Sequence, residues 1–174
     1  MLLESIQALC REEHLADVGA FCCPPGEEMS GLGWGVSVVA RLSDAVLDEL
    51  DGAPPYTDFH HYRTVNAYLD RVMLKIGFLL AEEGYRFLPI GASQSVPTPE
   101  DPHGYHGRFS HKEAACLAGL GAMGKSGLFL HRAFGPRVRL GTLFTDCPLV
   151  ERNPEPLPSP CGGCELCRRV CPAQ

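Results

Sequence analysis

The sequence lacks any run of basic residues. Fifteen Lys and Arg stand against 21 Asp and Glu, a net charge of -6, so the electrostatic footprint of a nucleic-acid-binding surface is missing. It lacks a long apolar run as well: no stretch approaches the roughly 18 apolar residues of a membrane span. The opening residues, MLLESIQALCREEHLAD, carry acids and amphipathic spacing where a secretory signal needs a basic start and an unbroken apolar stretch. There is no internal repeat and no low-complexity tract. The expectation is a soluble cytoplasmic protein. With 174 residues, 45% hydrophobic and 21% charged, the chain suits one globular domain with a sizeable core and a small appendage.

What the sequence does have is cysteine, nine residues unevenly placed. Cys10, Cys22, Cys23, Cys116 and Cys147 are scattered, and four more crowd the final stretch. Without a secretion signal, clustered thiols read first as metal ligands and not as a disulfide framework. CGGCELCRRVCP sets Cys161, Cys164, Cys167 and Cys171 at C-x2-C-x2-C-x3-C-P, the bacterial ferredoxin run. In that run the first three thiolates bind one 4Fe-4S cluster, and the fourth usually ligates a second. Zinc sites favour two separated cysteine pairs and match less well. A second cysteine run is missing, which leads us to expect a truncated electron-transfer module. Otherwise Cys171 serves the first cluster or stays free, with Cys147 or the Cys22-Cys23 pair as a substitute ligand.

Ahead of this tail, residues 2–16 carry a helical stripe of Leu2, Leu3, Ile6, Leu9 and Cys10, and GVSVVARL (35–42) reads as a strand. Ser43 or Asp44 could cap a short helix, DAVLDEL. Tyr62, Val65, Leu69, Val72, Ile76 and Leu79 predict a long helix over 60–84, which Gly84 ends. YRFLPIGA (85–92) reads as a buried strand, and SQSVPTPEDPHGYHGRF as a long loop of the functional kind. Ser110 with Glu113 forms a capping-box pattern that starts a helix over 111–119. Two strands follow, near 127–132 and 137–145, joined by a turn at Phe134-Gly135-Pro136. NPEPLPSP (153–160) is a stiff connector. It divides the chain into a domain over 1–152 and a cysteine segment over 161–174.

The stretch GLGAMGKSG, Gly119 to Gly127, satisfies two nucleotide-binding patterns, G-x-x-x-x-G-K-[ST] and G-x-G-x-x-G. Both need a strand before the glycines and a helix after them, and the order here is reversed. Three readings stay open: a nucleotide loop, a helix end with a tight turn at Gly119, Gly121 and Gly124, or bare backbone that lets a flat cofactor approach.

FSHKEAACLAGLGAMGKSGLFLHRAFGPRVRLGTLFTDCPL, followed by CGGCELCRRVCP, resembles the epoxyqueuosine reductase-like iron–sulfur proteins, relatives of the reductive dehalogenases. The shared elements are the AGLG-x-x-GK block, a hairpin ending in TD-x-PL and the ferredoxin cysteines. The resemblance implies an α+β fold: a nitroreductase-like scaffold with a central, mostly antiparallel sheet flanked by helices, joined to a partial ferredoxin-like cysteine segment. It implies an oxidoreductase in which 4Fe-4S clusters pass electrons from a redox partner to a bound corrinoid (cobalamin), which cleaves a small-molecule or modified-nucleoside substrate. A ferredoxin-like electron carrier and a nucleotide binder are the alternatives.

Epoxyqueuosine reductases carry a proton-donating aspartate fourteen positions before the first glycine of the block, and that position here is Tyr105. A tyrosine can also donate a proton, so Tyr105 is the candidate catalytic residue. Their Glu-Arg in the following helix is matched here by His111-Lys112. The candidate cofactor-binding residues are His60, His61, Ser110, Gly119, Gly121, Gly124, Lys125 and Arg139, the last two facing corrinoid amide or phosphate groups. Cys161, Cys164, Cys167 and Cys171 are the metal ligands.

Overall fold

The computed structural model describes residues 2–100, 102, 104 and 106–172. Its centre is a four-stranded antiparallel sheet in the order β1-β2-β6-β3, built from β1 (Asp17–Cys22), β2 (Trp34–Arg41), β3 (Phe87–Ile90) and β6 (Val138–Thr145). β2 and β6 lie in the middle, paired Val36 to Leu143 and Val39 to Leu140, so both faces of each strand meet protein. This is why GVSVVA is apolar at nearly every position instead of alternating.

One face is covered by α1 (Leu2–Glu12) and α3 (Tyr56–Glu82). Ile6 and Cys10 of α1 and Leu69, Val72, Met73, Ile76 and Leu80 of α3 are buried against Val36, Val38 and Leu143. Side chains of this size contribute about 1.5–3 kcal/mol each when fully buried. The other face is covered by α4 (His111–Leu117) and a separate hairpin, β4 (Gly121–Met123) with β5 (Phe129–His131). There Ala114, Ala115, Leu120 and Phe129 close over Phe21, Val39, Leu140 and Phe144. Small residues on α4 let the helix lie close to the sheet. α2 (Asp44–Leu47) and α5 (Leu166–Arg169) are single turns. The α+β expectation holds at this level, an antiparallel sheet flanked by helices. Among the described residues, no helix is long and apolar enough to cross a membrane.

Three features differ from the sequence expectation. The long helix starts at Tyr56, four residues before the expected start at 60, because Pro55 supplies the extended N-cap conformation at ψ 168°. DVGAFC, assigned no element from the sequence, forms the edge strand β1. The strands expected as a hairpin do not pair: β5 joins β4, whereas β6 joins β2 and β3. Only a single bridge, His131 to Gly135, links that turn. Burial on both faces draws β6 into the main sheet and leaves β5 to the glycine-rich strand before it.

The glycine block therefore resolves into a helix end and a hairpin. The Ser110 hydroxyl accepts from the Glu113 N–H, as the capping pattern predicts. α4 ends in a Schellman turn, with Gly119 N–H donating to the Cys116 carbonyl and Leu120 N–H to that of Ala115. Gly119 has φ +71°, and a Cβ there would lie 2.7 Å from Pro154. At Gly121 a Cβ would lie 2.3 Å from the Leu130 carbonyl, so the space beside the block is filled by β5, not left for a flat cofactor. Gly124 likewise faces Leu130. The lysine loop connects two antiparallel strands and no helix follows it, which removes the nucleotide-loop reading.

Candidate functional site

β3 pairs with β6 only from Thr145 to Thr142. After Ile90 the chain turns away, leaving the β3-side edge of residues 138–141 without a strand. A cavity of about 540 Å³ occupies that gap. Its walls come from the turn after β3 (Gly91 to Ser95), the end of the long loop (His106, Phe109, Ser110), α4 (His111, Lys112), the hairpin (Leu128, Phe129) and β6 (Val138 to Leu140).

His111 anchors the point where β3 stops. Its Nε2 lies 3.0 Å from the Gly91 carbonyl and its Nδ1 2.8 Å from Thr142 Oγ1. A carbonyl only accepts, so Nε2 carries the proton and the neutral ring accepts the threonine hydroxyl at Nδ1. Burial lowers the His111 pKa, opposed by the Gly91 hydrogen bond and reinforced by the nearby Arg139 charge. Arg139 donates through Nε to Asn66 Oδ1 at 3.0 Å and lies 4.4 Å from the centre of the Tyr62 ring. The Ala92 N–H donates to Asp70 Oδ1 at 2.8 Å, fastening the turn to α3.

Tyr62 is hydrogen-bonded to the Ser93 hydroxyl. That bond lowers its pKa, with the Arg139 charge acting in the same direction against partial burial. Burial raises the phenols of Tyr68 and, after the Cys147 charge, of Tyr85. Tyrosinate absorbance on raising the pH should therefore appear first from Tyr62, before Tyr68 and Tyr85. In Tyr62→Phe that early component should vanish, and in Arg139→Gln it should move to higher pH. An unchanged titration curve in both variants would contradict this placement.

The structure separates the predicted residues into three places. Ser110 and Arg139 line the cavity. His60 and His61 lie in a groove on α3, where His61 Nε2 accepts from the Ser43 N–H at 3.1 Å, and they do not border the cavity. Gly119, Gly121 and Gly124 serve the hairpin and its neighbours. Tyr105, the candidate proton donor, lies outside the described residues, as does His103.

Lys125, expected to face a corrinoid, points instead at the cysteine segment. It sits at the hairpin tip, where Gly124 N–H donates to the Leu128 carbonyl and Gly127 N–H to that of Gly124. Its own N–H lies 3.4 Å from Cys161 Sγ. Its Nζ donates to the carbonyls of Gly162 (2.9 Å) and Cys164 (3.1 Å) and pairs with the Glu165 carboxylate. The Lys125 N–H, then the Ser159 hydroxyl, hold the Cys161 thiol below the usual thiol range. From the other side, Lys112 of the cavity wall donates to the Gly127 carbonyl at 2.9 Å.

No two of the nine cysteines are joined by a disulfide. Cys147 is buried in the core and burial raises its pKa. Cys22 is occupied by Asn153, which accepts its N–H at 2.7 Å and donates to its carbonyl at 2.8 Å. These contacts, with Pro154 against Gly119, fasten the start of the proline-rich connector to β1 and the end of α4. Among the described residues, no three His, Cys, Asp or Glu side chains are gathered in metal-binding geometry. Sequence reasoning missed His111, Lys112 and Tyr62. The His-Lys pair at the start of α4 was the available signal, because it stands where the related proteins carry Glu-Arg.

The antiparallel sheet flanked by helices is a fold that this chain shares with solved reductases. No protein-family model matches the chain. Over 105 residues, 59% of its length, it is 31% identical to the tetrachloroethene reductive dehalogenase of Desulfitobacterium hafniense and covers 16% of that protein. In structure it matches the epoxyqueuosine reductase from Streptococcus thermophilus with a TM-score of 0.63 and 19% identity, over 98% of this chain and 52% of that one. It matches a catabolic reductive dehalogenase in complex with 3-bromo-4-hydroxybenzoic acid with a TM-score of 0.74 and 17% identity, over 97% of this chain and 24% of that one. The resemblance expected from the sequence is thus present in both comparisons, and the proteins concerned are enzymes. The chain spans about half the length of the epoxyqueuosine reductase and a smaller share of the dehalogenases.

Proposed function

We propose that the chain forms part of an iron–sulfur oxidoreductase of the epoxyqueuosine reductase-like kind. In this reading Cys161, Cys164 and Cys167 hold a 4Fe-4S cluster, with Cys171 serving the same or a second cluster, and the cavity beside β6 receives the group to be reduced. One observation carries it. The β4–β5 hairpin touches both places, with Lys125 at its tip on the cysteine segment and Leu128 and Phe129 on the cavity wall.

The donor set fits the cluster. Four soft thiols lie within eleven residues, and a backbone N–H is already aimed at the first sulfur. When bound, the cluster would supply single electrons, drawn from a separate redox partner. The chain's own residues do the rest. The hairpin holds the cysteine turn against the domain. Phe109, Leu128 and Phe129 give the cavity apolar walls that limit water. His111, Arg139 and Ser110 offer the few fixed polar groups that orient a ligand.

A volume near 540 Å³ is that of a small-molecule site, and a whole corrinoid is larger than such a cavity. Cobalamin therefore enters as a cofactor to be tested, and no step is routed through it. Anaerobically reconstituted protein titrated with cobalamin should show a 4Fe-4S shoulder together with a shift of the corrinoid bands. A shoulder without any corrinoid response would favour the electron-carrier alternative.

A further inference from the structure

The β4–β5 loop holds a positive charge over the cysteine segment at a point that the domain itself fixes. We propose that Lys125 tunes the reduction potential of the cluster, raising it by placing a backbone N–H at the first ligand and an ammonium on the carbonyls of the cysteine turn. This rests on the reading that Cys161, Cys164 and Cys167 bind a cluster. Lys125 is a positioning residue in this account, acting on the potential through the thiolates and not as a ligand.

Two properties of the site carry the inference. Cluster potentials depend on net charge, hydrogen bonds to sulfur and solvent exposure, and Lys125 supplies the first two together. Its N–H faces Cys161 Sγ at 3.4 Å, and its Nζ binds the carbonyls of Gly162 and Cys164. A reduced cluster carries one more negative charge than an oxidised one, so a fixed cation nearby favours reduction. Glu165 works against this. It pairs with Nζ, and Arg168 Nη1 donates to its other oxygen at 3.1 Å. Lysine and glutamate thus form a balanced pair beside the cysteine turn, and removing either member should move the potential in opposite directions.

The tip is also held in place. Its turn is closed by the Gly124 and Gly127 hydrogen bonds, and Lys112 grips the Gly127 carbonyl from the cavity side.

The test is the midpoint potential of the anaerobically reconstituted full chain under dithionite titration. In Lys125→Met, iron and sulfide should load as in the wild type. The equilibrium constant for one-electron reduction should fall about tenfold, a downward shift of about 59 mV. Lys125→Arg keeps the charge and should stay close to the wild type. Glu165→Gln should shift the potential upward, and adding it to Lys125→Met should cancel most of the loss. A loaded Lys125→Met cluster at the wild-type potential overturns the proposal while leaving the cluster reading intact. If Lys125→Met does not load, Glu165→Gln decides, and no upward shift there overturns it. Wild-type protein that takes up no iron removes the cluster reading and this proposal with it.

Discussion

Replacing Cys161 with alanine should strip the reconstituted protein of its iron. The C-x2-C-x2-C spacing places three thiolates around one cluster, and Cys161 is the one to which the domain commits most. It is half-buried, it accepts the Lys125 N–H, and its thiol is held below the usual range. Even outer-shell changes at metal sites typically cost about 10–100-fold in affinity, so loss of this ligand should reduce iron content by more than about tenfold. Cys164→Ala and Cys167→Ala should do the same. Cys147→Ala should leave iron content unchanged, because that thiol lies in the core with α3. Iron and sulfide assays with the 4Fe-4S absorption shoulder check the series. Full iron in Cys161→Ala would contradict the ligand assignment.

Phe144→Ala should cost about 3–5 kcal/mol of stability, the usual range for deleting a buried phenylalanine ring. Phe144 is fully buried in β6. It meets Phe21 edge-on at 5.7 Å and Phe109 edge-on at 4.8 Å. Phe109 in turn lines the cavity, so the ring supports the sheet core and the floor of the site together. Denaturant unfolding should show a lower midpoint with a similar slope. Phe144→Leu, which keeps most of the volume, should lose much less. An unfolding midpoint left unchanged in Phe144→Ala would mean that the ring does not brace this face.

The sequence shows where each kind of signal is local. Gly84, Ser110 with Glu113, and the stripe from Val65 to Leu80 mark α3 and α4 because capping and helical periodicity are short-range effects. The doubly buried β2 is also legible, as an unbroken apolar run. β1 and β4 are not. DVGAFC and GAM are short and glycine-bearing, and only their partners make them strands. The expected pairing of 127–132 with 137–145 fails for the same reason, because adjacency in the chain favours a hairpin that burial overrides. The cysteine run that makes up the candidate ligand set is legible from spacing alone. The cavity is not, since it arises where β3 ends before β6 does. Lys125 was expected to face a corrinoid and lies instead on the cysteine segment, because its direction depends on the hairpin and on residues thirty-six to forty positions later.

The central claim is that the hairpin holds an iron-binding cysteine turn against a reductase-like domain. Iron and acid-labile sulfide measured in the anaerobically reconstituted full chain test it most directly. The account predicts about four of each per cluster, with the absorption of a 4Fe-4S centre. Colourless protein without iron or sulfide after reconstitution, or protein holding zinc instead, would contradict it.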